Sequence, residues 1–267
     1  MKHFGPVTGC AKIDQDAIDK AAKAICPNAK PQSRLRQVIT PAKSVLNFAA
    51  RRGWCPAPKF EAVPGGGRRT DWLTPKEASA QIKAAAPHLS PLLTFAYCTG
   101  ARLSEILDLV WQDVDLIHNR CVLRDTKNGD DRIIDLPPAA MVALANLSGD
   151  RRGNVFRRPD GERYRATDDT DAGASGGQIK RSWATSLKDA GITRHVTPHH
   201  MRHSWATWHY CLYRDLLKLR EEGGWRTVKM VERYAKLAPE TMRHEIEVFW
   251  GMRAKIEQTR RKKHASI

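Results

Sequence analysis

Residues 195–205 read HVTPHHMRHSW and place His195, His199, His200, Arg202 and His203 inside nine positions. Histidine and arginine at that density fit three chemistries: a metal site, a base awaiting a proton, or a cradle for an anion. On a helix, His199, Arg202 and His203 share one face, being three and four residues apart. Two histidines at i and i+4 have zinc-ligand spacing. No third ligand or general-base glutamate completes an HExxH arrangement, however, and Arg202 would put a positive charge beside the ion. An anion suits the pattern better. Thr197-Pro198 reads as a helix start, with threonine as N-cap and proline in the first turn. Such a start presents free N–H groups and a partial positive charge. Arg202 adds a planar fork for two phosphate oxygens, and His199 a group that titrates near neutrality.

Other stretches supply company. TGARLSE (99–105) sets Arg102 just after a glycine, with Glu105 three residues on, the spacing at which a carboxylate holds a guanidinium. Lys127 stands at the lip of an Asn128-Gly129 turn, from which a lysine can reach into a groove. GGWRT places Trp225 after two glycines, and its indole N–H can only donate. ERYAKL carries Tyr234 in a helical context. Taken singly, each has an ordinary explanation: a surface ion pair, a turn lysine, a core tryptophan, the polar edge of a helix.

The elements that must position these residues are mostly helices. The spacing predicts helices over 14–25 and 33–52, the second with Val38, Val45, Leu46 and Phe48 on one face and a break or kink at Pro41. Thr74, Pro75 and Glu77 spell a capping box that opens another helix. Helices follow over 90–100, stopping at Gly100, and over 101–111, with Leu103, Ile106, Leu107 and Val110 on one side. Two short apolar runs around Asn128-Gly129 predict a β-hairpin over 120–136. Residues 160–177 read as a polar loop, and 178–191 as a helix with Ile179, Trp183 and Leu187 in register and Gly191 at its end. Two helices flank Gly223-Gly224, and a last one runs from about Pro239 into a basic tail. The fold class is therefore mainly α with a small β-hairpin or sheet. VPGGGRR (63–69) is the clearest linker, since three glycines in a row suit neither helix nor strand.

Composition narrows the partner. The 267 residues carry 45 Lys and Arg against 29 Asp and Glu, a net charge of +16, which favours a polyanion. No basic amphipathic anchor helix stands out, so nucleic acid outranks a membrane surface. No apolar run approaches the ~18 residues of a membrane span, and the start, MKHFGPVTGCAK, has no apolar core of a secretory signal. The six cysteines are scattered without a Cys-x-x-Cys pair, which fits a reducing cytoplasm and argues against a zinc ribbon.

In this order, TGARLSEILDLVWQDVD, TKNGDDR, TPHHMRHSWAT and GGWRTVKMVERYAKLAPE resemble the successive signature blocks of the tyrosine recombinase (phage integrase) family, over roughly residues 70–240. The resemblance implies a catalytic domain over 70–250. A short helical core-binding segment over 1–63, a linker over 64–69 and a basic tail over 251–267 complete the expected organisation. It implies catalytic roles for Arg102, Lys127, His199, Arg202, Trp225 and Tyr234, with Glu105 in support. Tyr234 would be the nucleophile, forming a 3′-phosphotyrosyl link to double-stranded DNA without ATP, metal or other cofactor, in a homo-tetramer on paired sites. Three departures stand out. Trp225 occupies a position where most members have histidine, and His200 replaces the acidic residue common after the HxxR histidine. The roughly 63 residues before the linker are short for the family's core-binding domain. That leaves a minimal protein or a fragment as readings. Two other functions compete: a type IB topoisomerase-like enzyme, and a DNA-binding protein that has lost catalysis. For PETMRHEIEVFWGM (239–252), docking on a neighbouring subunit and docking within the same chain stand equal.

Overall fold

The computed structural model describes residues 3–5, 8–57, 71–124, 131–164, 179–237 and 239–252. The chain divides into two compact units, Met1–Arg68 and Arg69–Ile267. The glycine-rich stretch, the 165–178 part of the polar loop and the basic tail lie outside the described residues, and so does Lys127.

The first unit is helical. Helix α1 (Gln15–Ile25) is capped by Asp14, whose side chain accepts from the Ala17 N–H. Helix α2 (Pro31–Arg34) continues through a π turn (Leu35–Ile39) into α3 (Thr40–Arg51). Pro41 brings no N–H to the ladder and crowds the preceding turn, and the wider π turn sits just before it. This corrects the expected apolar face. One extra residue in a turn rotates the remainder of the helix by about 100°, so Val38 aligns with Leu46 rather than Val45. Val45 and Phe48 stand 52% and 44% exposed, while Ile18, Ala22, Ile39 and Leu46 form a small core.

The second unit holds the larger core. Helix α4 (Pro75–Ala84) opens on the complete capping box of Thr74 and Glu77. Helix α5 (Ser90–Thr99) stops at Gly100, whose φ of 61° is left-handed. Helix α6 is shorter than its apolar pattern predicts, Leu103–Asp108. Val110 leaves the helix because the following backbone is claimed elsewhere. Val110 bridges Asn154, Trp111 N–H donates to Gly153, and Val155 N–H donates to Leu109. The hairpin is present as β2 (Arg120–Leu123) and β3 (Arg132–Asp135), antiparallel with Cys121 opposite Ile134. A two-residue strand β1 (Val114–Asp115) adds to β2, a length that leaves no periodicity to read.

Helix α7 (Pro138–Ala145) packs on α5. Helix α8 (Lys180–Asp189) buries Ile179, Trp183 and Leu187 as their spacing predicts. Helix α9 (His199–Tyr213) runs through the core against α5 and α10 (Leu216–Gly223). Helix α11 (Glu232–Ala235) also packs on α9, and α12 (Arg243–Phe249) closes the described chain. Met242, Ile246 and Trp250 are buried in the chain's own core. The Trp250 indole donates to the Tyr97 carbonyl at 3.1 Å, and Phe249 packs against Tyr97 and Trp208. Of the two readings of this segment, the structure takes docking within the same chain.

Candidate active site

The site grows from the N-terminal half of α9 outward. Helix α9 begins one residue later than its sequence start signal, with Pro198 at the helical cap position. Thr197 does not cap with its own hydroxyl. Instead His200 Nδ1 accepts from the Thr197 N–H at 2.9 Å, three residues back. That is the backward half of a capping box, usually made by glutamate. It accounts for a histidine where the family resemblance leads one to expect an acid.

Arg202 is 3% exposed. Its guanidinium donates to the Gly100 carbonyl at 2.7 Å and to the Gly223 carbonyl, and lies 4.0 Å from the ring centroid of Trp225. Both carbonyls belong to glycines for a steric reason. A Cβ on Gly100 would fall 2.2 Å from the Trp205 ring, and one on Gly223 would fall 1.8 Å from Trp225. The two tryptophans stack with centroids 6.2 Å apart. Trp225 is thus placed as the platform under Arg202. Burial and the Arg102 charge push the Arg202 pKa down to about 9, still charged at neutral pH.

Arg102 stands at the N-terminus of α6, beside Arg202. Its guanidinium pairs with Glu105, and its backbone N–H donates to the same carboxylate at 2.8 Å. Glu105 is buried and also pairs with Arg132 of β3 at 3.1 Å. Burial works against its charge, yet the Arg102 N–H and the two guanidinium groups hold it below the usual carboxylate range. Arg132 in turn donates to the Glu222 carbonyl, tying the sheet to the end of α10.

Tyr234 on α11 is fully buried, with its ring 5.7 Å from Trp225. Its hydroxyl is 2.8 Å from His203 Nδ1 and accepts from Arg233 at 3.1 Å. Burial raises its pKa, with Arg233 and Arg202 pulling the other way. His199 presents itself to solvent and touches the His203 ring edge-on at 4.6 Å. Partial desolvation and then Arg202 push His199 down to about 4, so it is neutral near pH 7. Among the described residues no three His, Cys, Asp or Glu side chains are grouped to hold a metal ion.

The structure therefore brings Arg102, Glu105, His199, Arg202, Trp225 and Tyr234 to one place, from α6, α9, α11 and the turn after α10. Sequence reasoning misses three contributors. By spacing alone, His203 reads only as a partner in a possible zinc pair. Arg233 precedes Tyr234 directly and lies on it. Arg132 has only its place after the hairpin turn to mark it.

A model of the phage integrase family matches residues 71–241, most of the second unit. The chain belongs to the phage integrase family. Among its curated relatives, the integrase of Salmonella phage P22 is 30% identical over 202 residues, 72% of this chain and 51% of that protein. Tyrosine recombinase XerD of Mycobacterium leprae is 36% identical over 121 residues, 43% of this chain and 37% of that protein. This chain thus spans about half or less of those relatives' length. In solved structures the fold is that of the Tn1549 transposon integrase in complex with transposon right end DNA, with a TM-score of 0.64 at 17% identity, covering 84% of this chain and 81% of that one. XerH recombinase bound to its palindromic difH substrate matches with a TM-score of 0.62 at 14% identity, over 89% and 73% of the two chains.

Proposed function

We propose that this protein is a site-specific tyrosine recombinase that breaks and rejoins double-stranded DNA through Tyr234. One observation carries the reading. A buried phenol, held by His203 and Arg233, lies against the tryptophan that supports Arg202, with Arg102 alongside. Among the described residues, Arg102, Arg132, Arg202 and Arg233 outweigh the buried Glu105 carboxylate and leave the site strongly positive, which suits a phosphodiester. The relatives named as recombinases, and neighbours solved in complex with DNA, support the same partner.

Free tyrosine has a pKa near 10, so about one phenol in a thousand is ionised at pH 7. A fixed clamp of Arg102 and Arg202 stabilises the charge that builds on phosphorus as Tyr234 attacks. The Oη–P bond forms, the P–O5′ bond breaks, and the DNA 3′ end is held as a phosphotyrosine. Lys127, which lies between β2 and β3 in the sequence, protonates the departing 5′ oxygen. The covalent link conserves the bond energy, so a 5′-hydroxyl from a second duplex reverses the step without ATP. Exchange between two duplexes involves four strands, one tyrosine for each, which is the reason for a homo-tetramer on paired sites. The first unit acts as the core-binding DNA clamp. The setting is the bacterial cytoplasm, on a phage or other mobile element.

The test is covalent capture. Wild-type protein incubated with DNA forms an adduct that survives denaturing electrophoresis, whereas Tyr234→Phe binds DNA and forms none. An adduct in the Phe variant, or attachment at Tyr210 or Tyr213, overturns the assignment. Relaxation of supercoiled plasmid at no particular sequence would favour the topoisomerase-like reading, and binding without any adduct the non-catalytic one.

A further inference from the structure

We propose that His203, the residue after the HxxR arginine, is the group that takes the proton from Tyr234 during attack, and that Arg233 fixes the direction of that transfer. The inference rests on the recombinase reading of Tyr234 and adds a catalytic residue to it.

Hydrogen-bond accounting at one oxygen singles out His203. The Tyr234 hydroxyl has one proton to give. Arg233 lies 3.1 Å away and can only donate, so it occupies a lone pair of the oxygen. His203 Nδ1 lies at 2.8 Å and is the only acceptor in reach among the described residues. The phenol is fully buried, so water does not compete for its proton. His203 Nδ1 is therefore unprotonated and accepts from Oη, which leaves its proton on Nε2. His199 is the sequence's own candidate for this task, but it meets the ring of His203, not the phenol.

The surroundings set when the proton moves. His203 faces His199, His200 and Arg202 on its own helix and Arg233 on α11. Desolvation and that positive field push it down to about 3, while burial raises the phenol. In the free protein the proton rests on oxygen. A DNA phosphate seated on Arg102 and Arg202 cancels part of the field, which makes His203 more basic at the moment when Tyr234 gains a place to put its electrons. The step balances: Oη–P forms, the Oη proton passes to His203 Nδ1, P–O5′ breaks, and O5′ receives a proton from Lys127. Arg233 Nε is buried and has no hydrogen-bond partner among the described residues.

The test has two arms. In the free protein, histidine-selective 15N NMR should report His203 Nδ1 as a bare nitrogen across about pH 5 to 8, shifted in Tyr234→Phe. A protonated Nδ1 overturns the inference without any DNA. For the second arm, wild-type protein selects a cleavable duplex from a random-sequence library by covalent capture. His203→Gln, which accepts a hydrogen bond but takes no proton, should then bind that duplex normally and form adduct about 10²-fold or more slowly. Its rate should rise about tenfold per pH unit, as hydroxide replaces the missing base. The loss should be equal on a duplex whose bridging 5′ oxygen is sulfur, because the leaving group is not where His203 acts. Imidazole should partly restore His203→Ala, which a merely structural role would not allow. If His203→Gln stays within about threefold of wild type, or if His199→Gln shows the base-loss pattern instead, the inference is overturned while the recombinase reading stands. If wild-type protein captures no duplex, both fall.

Discussion

At the scale of single residues, the proposed reaction divides the site's labour between charge and proton transfer, and Lys127 is the residue whose share is most sharply testable. A departing 5′-alkoxide leaves poorly, because its conjugate alcohol has a pKa far above 7. A positioned acid supplies about 10²–10⁴-fold, and an ammonium also stabilises the charged phosphorane. Thiols have a pKa near 8.5 and leave without protonation. Lys127→Ala should therefore be strongly impaired on ordinary DNA and close to wild type on the sulfur-bridged duplex, measured as single-turnover adduct formation. Equal impairment on both substrates would make Lys127 a binding residue. The same experiment separates it from His203, whose loss sulfur does not repair. At this scale the sequence pointed to Arg102, His199, Arg202 and Tyr234 through blocks that resemble a family's signatures, and the structure brings those four side chains together. His203 and Arg233 were harder to see. The role of His203 comes from a 2.8 Å approach to an oxygen on another helix, a contact that spacing along the chain does not report, and that of Arg233 from a 3.1 Å approach by its side chain to the same oxygen one residue on.

At the scale of elements, two glycines and one terminal segment decide whether the clamp exists. Gly100 ends α5 in left-handed conformation with Trp205 pressed against it, and Gly223 ends α10 under Trp225. Alanine at Gly223 forces the ring off its platform; overpacking of this kind costs about 1–3 kcal/mol. Alanine at Gly100 adds backbone strain to the clash. Each variant should melt several degrees lower than wild type. Each should also lose more activity than stability explains, because each moves a carbonyl that fixes Arg202. The sequence marked Gly100 as a helix stop, but not as the space for a ring 105 residues away. The C-terminal segment teaches the same lesson. The apolar spacing of Met242, Ile246, Phe249 and Trp250 showed that one face of a helix is buried, and only the fold showed against what. Losing a core Phe or Trp side chain costs about 3–5 kcal/mol, against a total of about 5–15 for a domain. Truncation after Lys236 should therefore abolish the cooperative melt seen by circular dichroism. A truncated chain that stays folded and loses only cooperative DNA binding would restore the neighbouring-subunit reading.

At the scale of the whole molecule, charge does two separable things. In the proposed reaction the +16 net charge governs how DNA is held, and the clamp arginines govern what happens to one phosphate. Arginines in the clamp supply the positive charge that many phosphoryl-transfer sites take from divalent ions. Adduct formation on bound DNA should therefore persist in excess chelator; loss in chelator with recovery on zinc would return the histidine cluster to the metal reading. Binding should behave differently. Each backbone phosphate neutralised contributes about 0.9 to the slope of log affinity against log salt, so six or more contacts weaken binding on the order of 10³-fold between about 50 and 200 mM. The basic tail, RAKIEQTRRKKH, tests the separation because it carries charge and none of the site residues. Removing residues 253–267 should lower the salt slope by about one for each phosphate the tail contacts, and weaken binding most at low salt. The single-turnover rate on saturating DNA should not change. If the deletion slows that rate while the slope stays fixed, the tail belongs to the catalytic assembly, and bulk charge is not what it contributes.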